Sequence, residues 1–406
     1  MTHLFRSLRH RNYRIWAAGA LVSNIGTWMQ RTAQDWLVLT ELTHRDATAV
    51  GIVMALQFGP QLLLLPWTGY AADRLERRTL LMATQGTMGA LALGLGILTV
   101  TGAVRLWQVD LFALIFGCVT AFDSPARQIF VSDLVDDGDL PNAVALNSTS
   151  FNAGRMLGPA AAGLCIAALG SGWAFVLNGL SFLAVLASLT VLRRGERHPA
   201  VGDSTRQAPR GLTAGFRYVW QRRDLRTIIL MLFLIGTFGL NFPIFISTMA
   251  VGVFHLGADG YGLLNTVMAC GTLGGSLLAA GRDRTGLRGL AAAAALFGAG
   301  CALAALAPNA VFFAGALVLV GISALTFTTA TNSQMQLSST PEMRGRVMAI
   351  RLAVALGGTP VGAPIVGWIA NHFGPRWALG IGAAAGLAAA LVAMRALAPA
   401  GRRETR

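Results

Sequence analysis

Residues 154–174 read GRMLGPAAAGLCIAALGSGWA, and residues 358–378 read GTPVGAPIVGWIANHFGPRWA. Gly154, Gly158, Gly163 and Gly170 recur 204 positions later as Gly358, Gly362, Gly367 and Gly374, without a gap. Trp173 and Ala174 then fall on Trp377 and Ala378, and Gly117 falls on Gly321. The shift is about half of the 406-residue chain, so the sequence reads as two similar halves in tandem.

Composition places both halves in a membrane. Hydrophobic residues make up 54% and charged residues only 12%, with a mean hydropathy of +0.58; soluble domains carry about twice that charge. Apolar runs long enough to cross a bilayer recur at approximately 13–40, 48–70, 80–101, 106–127, 142–168, 172–192, 227–254, 260–280, 288–307, 309–333, 347–370 and 376–397. Their unbroken apolarity predicts helices rather than barrel strands, which alternate. The expected fold is therefore all-α and integral to the membrane: twelve transmembrane helices in two pseudo-symmetric six-helix bundles. The polar stretch 193–226 reads as a cytoplasmic linker between a 1–192 bundle and a 227–406 bundle with a short cytoplasmic tail. Two parallel repeats joined in this way are the plan of a secondary transporter, with its site expected between the halves.

The net charge of +14 is carried by arginine alone, since the chain has no lysine. With the amino terminus inside, 26 of the 32 basic residues fall at one side's connections, and only Arg45, Arg105 and Arg376 at the other. The positive-inside rule then predicts both termini in the cytoplasm. The basicity is topology, and the 193–226 segment lacks the aromatic interleaving of a nucleic-acid binder. The first apolar run is too long, and too polar at Asn24, Thr27, Gln30 and Arg31, for a cleaved secretory signal. Cys118, Cys165, Cys270 and Cys301 stand singly in apolar spans, so neither disulfides nor a metal site is expected. The absence of lysine excludes a phosphate-loop ATP pump. No Ser/His/Asp set supports an enzyme, and no cofactor is expected.

GYAADRLERR at 69–78 resembles the loop signature of the major facilitator superfamily: a glycine, three residues, Asp-Arg, then a basic pair. Gly69 suits close helix approach, Asp73 suits a helix amino end, and Arg74, Arg77 and Arg78 supply inside-facing charge. Glu76 stands where the family often has a second glycine. Gly154-x3-Gly158-Pro159-x3-Gly163 looks like the glycine–proline signature of proton-coupled exporters; plain helix packing is the competing reading, because Gly358, Gly362 and Gly367 repeat the spacing. Pro159 favours a kink. SNIGTWMQRTAQDWLVLTELT at 23–43, AFDSPARQIFVSDLV at 121–135, LPNAVALNSTSFNAGRMLGPAAAG at 140–163 and GGTPVGAPIVGWIANHFGPR at 357–376 resemble the enterobactin-exporter-like branch, the transmembrane secretion effectors. The resemblance spans nearly the whole chain. It implies a proton-coupled exporter of siderophores, macrolides or other drugs in a bacterial inner membrane.

Ionisable groups at bilayer depth are functional candidates. Asn24, Thr27, Arg31 and Asp35 share one face of the first span, beside Trp28 and Gln34. An Arg31–Asp35 pair could couple a proton to rearrangement, or could be a structural pair at the outer rim. Asp123 and Arg127 are four apart on the fourth span. In the family, an acid there latches the inner gate by pairing with a 69–78 arginine; an intrahelical pair and proton carriage are the alternatives. Arg155, near mid-depth of the fifth span, could meet an anionic substrate group or balance Asp35 or Asp123. The second half has no acid within a span and offers Asn241, Asn265 and Thr326 to a mostly apolar cavity. The leading expectation is proton-driven export of a small amphipathic molecule by a monomer in the lipid bilayer, with no nucleic-acid partner. Uptake by the same fold, or a non-transporting sensor or assembly partner, are the rivals.

Overall fold

The computed structural model describes residues 3–192, 212–280 and 286–397. The described residues are helical throughout, with short turns between helices and no strand among them. After a 3-10 turn, His3–Arg9, the first half runs through α1 (Arg11–Trp36), α2 (Ala47–Leu63), α3 (Leu65–Arg74), α4 (Arg77–Val100), α5 (Leu106–Phe130), α6 (Leu140–Leu169) and α7 (Ser171–Val191). The second contains α8 (Leu212–Gln221), α9 (Arg223–Leu234), α10 (Phe242–Gly252), α11 (Ala258–Ala280), α12 (Leu287–Ala305), α13 (Ala310–Ser338), α14 (Pro341–Phe373) and α15 (Pro375–Leu397).

Each expected span is occupied by helix. Among the described residues, eight helical stretches are long and apolar enough to cross a bilayer unaided. The exceptions have physical causes. The run at 48–70 is broken at Leu64 into α2 and α3, after Pro60 and with a proline opening α3; proline lacks the donor a continuous helix needs. The run at 227–254 loosens into a π turn, Ile235–Gly239, before α10 restarts with a proline in its first turn. The first span likewise ends in a π turn, Leu37–Leu42. Pro159, by contrast, interrupts nothing: α6 runs through it as one 30-residue helix.

The segment 193–226, expected to be a linker, holds helix from Leu212 onward. Its remainder, 193–211, lies outside the described residues, as does the tail from 398. Gly215 and Val219 face inward along α8, Gly215 against Arg346 and Ile350 of α14, which explains why this stretch is ordered into helix. Phe216 and Trp220, one turn apart on its other face, are exposed and stacked with ring centroids 5.7 Å apart.

The chain divides into two compact units, Met1–Thr205 with His255–Thr266, and Arg206–Phe254 with Val267–Arg406. Within the first, α1 packs on α6 and α7, and α4 on α5 and α7. Within the second, α12 packs on α13 and α15, and α14 on the π turn of the seventh span. The repeated glycines make these contacts. A Cβ on Gly154 would meet the Asn24 backbone at 2.8 Å, and one on Gly158 would meet Trp28 at 2.5 Å. A Cβ on Gly358 would meet Gly236 at 2.8 Å, and one on Gly362 would collide with the Thr237 carbonyl. Gly367 is buried, while Gly163 abuts Ala258 and Asp259 at the start of α11. Gly170 and Gly374 end α6 and α14 in nearly the same conformation, φ 93° and φ 98°. Many large apolar side chains stay exposed, among them Leu164, Trp107, Ile97, Val311 and Leu306. A water-soluble surface does not tolerate such coverage, and a lipid-facing one requires it.

Candidate functional site

Three polar clusters stand among the apolar helices of the first unit, two of them buried and one half-buried. The innermost is organised by Asp123. Its Oδ1 accepts from Thr84 Oγ1 at 2.8 Å and Gln85 Nε2 at 2.7 Å, and its Oδ2 pairs with Arg127 at 3.1 Å. Arg127 also donates to Asn24 Oδ1 at 3.3 Å, and Asn24 Nδ2 donates to Ser150 Oγ at 3.0 Å. The Arg127 guanidinium lies 5.9 Å from the buried Trp16 ring. One carboxylate thus ties together α1, α4, α5 and α6, and its lone pairs are engaged as a buried charge demands.

This corrects the expected inner latch. Asp123 pairs with Arg127 on its own helix rather than with a loop arginine. Arg77 instead bonds Asp133, at 2.6 Å, in the 3-10 turn that follows α5. Arg78 donates to the Thr190 carbonyl at 3.1 Å, and Arg74 is exposed. The reason is reach. Asp123 sits two helical turns before the end of α5, whereas Asp133 lies beyond it, level with the start of α4. Gly69 and Asp73 lie in α3, and their side-chain surroundings fall outside the described residues.

A second cluster surrounds Trp28. Arg31 stands over its ring at 5.0 Å and Arg155 at 5.7 Å, while Phe58 receives Arg31 at 5.4 Å and Phe151 meets Trp28 edge-on at 5.6 Å. Arg31 Nε is buried without a hydrogen-bond partner. The third cluster holds Asp35, which is buried and 3.4 Å from the Tyr261 hydroxyl; Tyr261 stacks on Trp36 at 6.0 Å. Arg31 and Asp35 form no direct ion pair, so the anticipated intrahelical bridge gives way to aromatic contacts for the arginine and a tyrosine for the acid.

Thr27 is half-buried and Gln34 buried on the same helix. Asn265 belongs to the first unit and bonds back to the Tyr261 carbonyl of its own helix at 2.9 Å. In the second unit, Asn241 Nδ2 donates to the Thr237 carbonyl at 2.7 Å across the π turn. Asn241 Oδ1 and Thr237 Oγ1 remain buried and unpartnered. Thr326 is buried on α13. Sequence reasoning missed Gln85, Thr84, Tyr261, Asp133 and the Gln30–Asn178 bond of 2.6 Å between α1 and α7. Adjacent Thr84 and Gln85 inside an apolar span were the available signal; Tyr261 offered none.

The family model for transmembrane secretion effectors matches residues 2–405. The chain belongs to the transmembrane secretion effector family. This family is a branch of the major facilitator superfamily, a kinship with transporters rather than enzymes. The chain is 28% identical over 249 residues to the staphyloferrin A transporter of Staphylococcus aureus, covering 61% of each chain. It is 24% identical to the multidrug efflux pump Tap of Mycolicibacterium fortuitum, across 87% of this chain and 88% of that one. Among solved structures, a bacterial homologue of the lysosomal transporter Spinster shares the fold at TM-score 0.71 and 16% identity, covering 95% of both chains. The alignment to the staphyloferrin A transporter thus spans about three fifths of that relative. The fold, the family and a multi-pass membrane location are common ground.

Proposed function

We propose that this secretion-effector protein is a secondary active transporter that exports a small amphipathic molecule, a siderophore, macrolide or other drug, in exchange for protons. The observation that carries the reading is Asp35: an acid at the end of a membrane-spanning helix, buried, held by a tyrosine hydroxyl and not locked in an ion pair. A carboxylate locked as Asp123 is by Thr84, Gln85 and Arg127 serves structure; one with a single long hydrogen bond is suited to gain and lose a proton. Relatives named for siderophore transport and drug efflux support the substrate class.

In this scheme the halves 1–192 and 227–406, joined through 193–226, alternate access while the repeated glycines keep their helices packed. The arginine bias supports a topology with both termini on the cytoplasmic side of a bacterial inner membrane, and a single chain suffices. The basic surface binds no nucleic acid. The test is flux in oriented vesicles over a panel of siderophores, macrolides and amphipathic dyes. Accumulation in inverted vesicles driven by an outward proton gradient, with the lumen acidic, is expected. Accumulation only in right-side-out vesicles would establish uptake instead, and binding without flux a sensor.

A further inference from the structure

Arg31 and Arg155, both half-buried, approach one tryptophan, within 5.0 and 5.7 Å of its ring centroid, among the apolar helices of the first unit. Neither makes an ion pair with an acid among the described residues, and Arg155 makes no hydrogen bond there. The nearby acid, Asp35, is turned to Tyr261. By contrast, Arg127 on the same unit is fully engaged by Asp123 and Asn24. Two guanidiniums and one carboxylate leave an excess of positive charge, and Arg31 Nε is buried with nothing to bond. Cation–π contact offsets only about 0.5–2 kcal/mol per guanidinium, so two half-buried guanidiniums on one ring keep an unmet demand for a counter-charge. A buried donor left unmade is costly in itself.

We propose that Arg31 and Arg155 form a binding site for the carboxylate of an amphipathic ligand, with Trp28, Phe58 and Phe151 as the wall for its apolar part. Guanidinium forks match a carboxylate bidentately and, unlike an ammonium, stay charged and stacked on an aromatic face. The site takes an anionic oxygen group joined to an aromatic or aliphatic body. It therefore discriminates against neutral and cationic amphiphiles of the same shape. The inference narrows the substrate class of the transport reading, and it rests on that reading for the ligand's fate but not for its binding.

The experiment compares two matched probes, 2-naphthoate and its neutral amide 2-naphthamide, by equilibrium dialysis against the full chain in lipid nanodiscs at pH 7. Naphthoate should bind about tenfold or more tightly than naphthamide, as expected for a charge-assisted contact. Arg31→Gln and Arg155→Gln should each reduce that ratio toward unity, and Arg155→Lys should restore part of it. Should Arg31→Gln fail to fold, Arg155→Gln carries the test, because no polar contact among the described residues depends on it. Absence of preference in the parent chain, whether both probes bind or neither does, overturns the site. So does a preference that survives Arg155→Gln. Vesicle flux is scored separately: selective binding without flux sinks the transport reading and leaves the carboxylate site standing.

Discussion

Asp123 accepts from Thr84 and Gln85 on one oxygen and pairs with Arg127 on the other, at 2.7–3.2 Å, in an interior with little water. Asp123→Asn keeps the shape but strands Arg127, and breaking a buried pair from one side costs about 3–5 kcal/mol. Thermal unfolding of the purified protein should show a large fall in Tm. Arg127→Gln should show a similar one, and the double variant less than the sum. Asp139, at the start of α6, is the membrane-edge counterpart. Its carboxylate accepts from His10 at 2.8 Å and faces Arg9 at 3.0 Å and Arg6 at 3.1 Å. The His10 hydrogen bond, aided by the two arginines, holds its pKa below the usual carboxylate value. A depressed folded-state pKa means the contribution is complete above the unfolded carboxylate pKa, about 4. It is lost as pH falls through the folded one. Amide-exchange protection factors in His3–Arg9, normalised to the intrinsic rate at each pH, should therefore stay flat down to about pH 4 and fall below it. Asp139→Asn should remove the acid-dependent step. Of these two acids, Asp123 was legible as a buried charge with Arg127 within reach, but Thr84 and Gln85 were not. Asp139 was not singled out at all, because a lone Asp before a helix reads as an ordinary cap.

At the scale of helices, the glycine spacing carried its meaning through. Gly158 and Gly362 are pressed against α1 and the π turn of the seventh span, so Gly158→Ala and Gly362→Ala should each destabilise by about 1–3 kcal/mol through overpacking. Gly86 on α4 and Gly315 on α13 have open space where a Cβ would stand. Alanine there should be neutral or stabilising by up to about 1 kcal/mol from helix propensity. Opposite signs in matched thermal-unfolding curves check the pair of statements. Gly170 and Gly374 are required for a different reason. Their φ near 95° with extended ψ belongs to glycine alone, so alanine at either should cost about 1–3 kcal/mol. The same spacing thus contains two kinds of glycine, contact and conformational, which a sequence pattern does not separate. The π turns at Leu37–Leu42 and Ile235–Gly239 were invisible too, since a one-residue change in hydrogen-bond register leaves the apolar pattern intact.

For the molecule as a whole, the proton-coupling proposal predicts that Asp35→Asn abolishes uphill movement in proteoliposomes while sparing substrate exchange. Unchanged uphill transport would remove Asp35 from the mechanism. The sequence by itself determined that the chain is helical and membrane-embedded, that it is a tandem repeat, and that it resembles the secretion-effector branch. Those properties reside in apolar length, glycine spacing and motif order, all of which are local along the chain. Tertiary structure alone decided that Asp123 adds Thr84 and Gln85 to the Arg127 that its own helix offers, that Arg77 goes to Asp133, and that Arg31 and Arg155 share Trp28 while Asp35 turns to Tyr261. A buried charge takes whichever partner the neighbouring helices bring within about 3 Å. That choice depends on which faces meet and how far each helix has turned, and no spacing within one segment contains it.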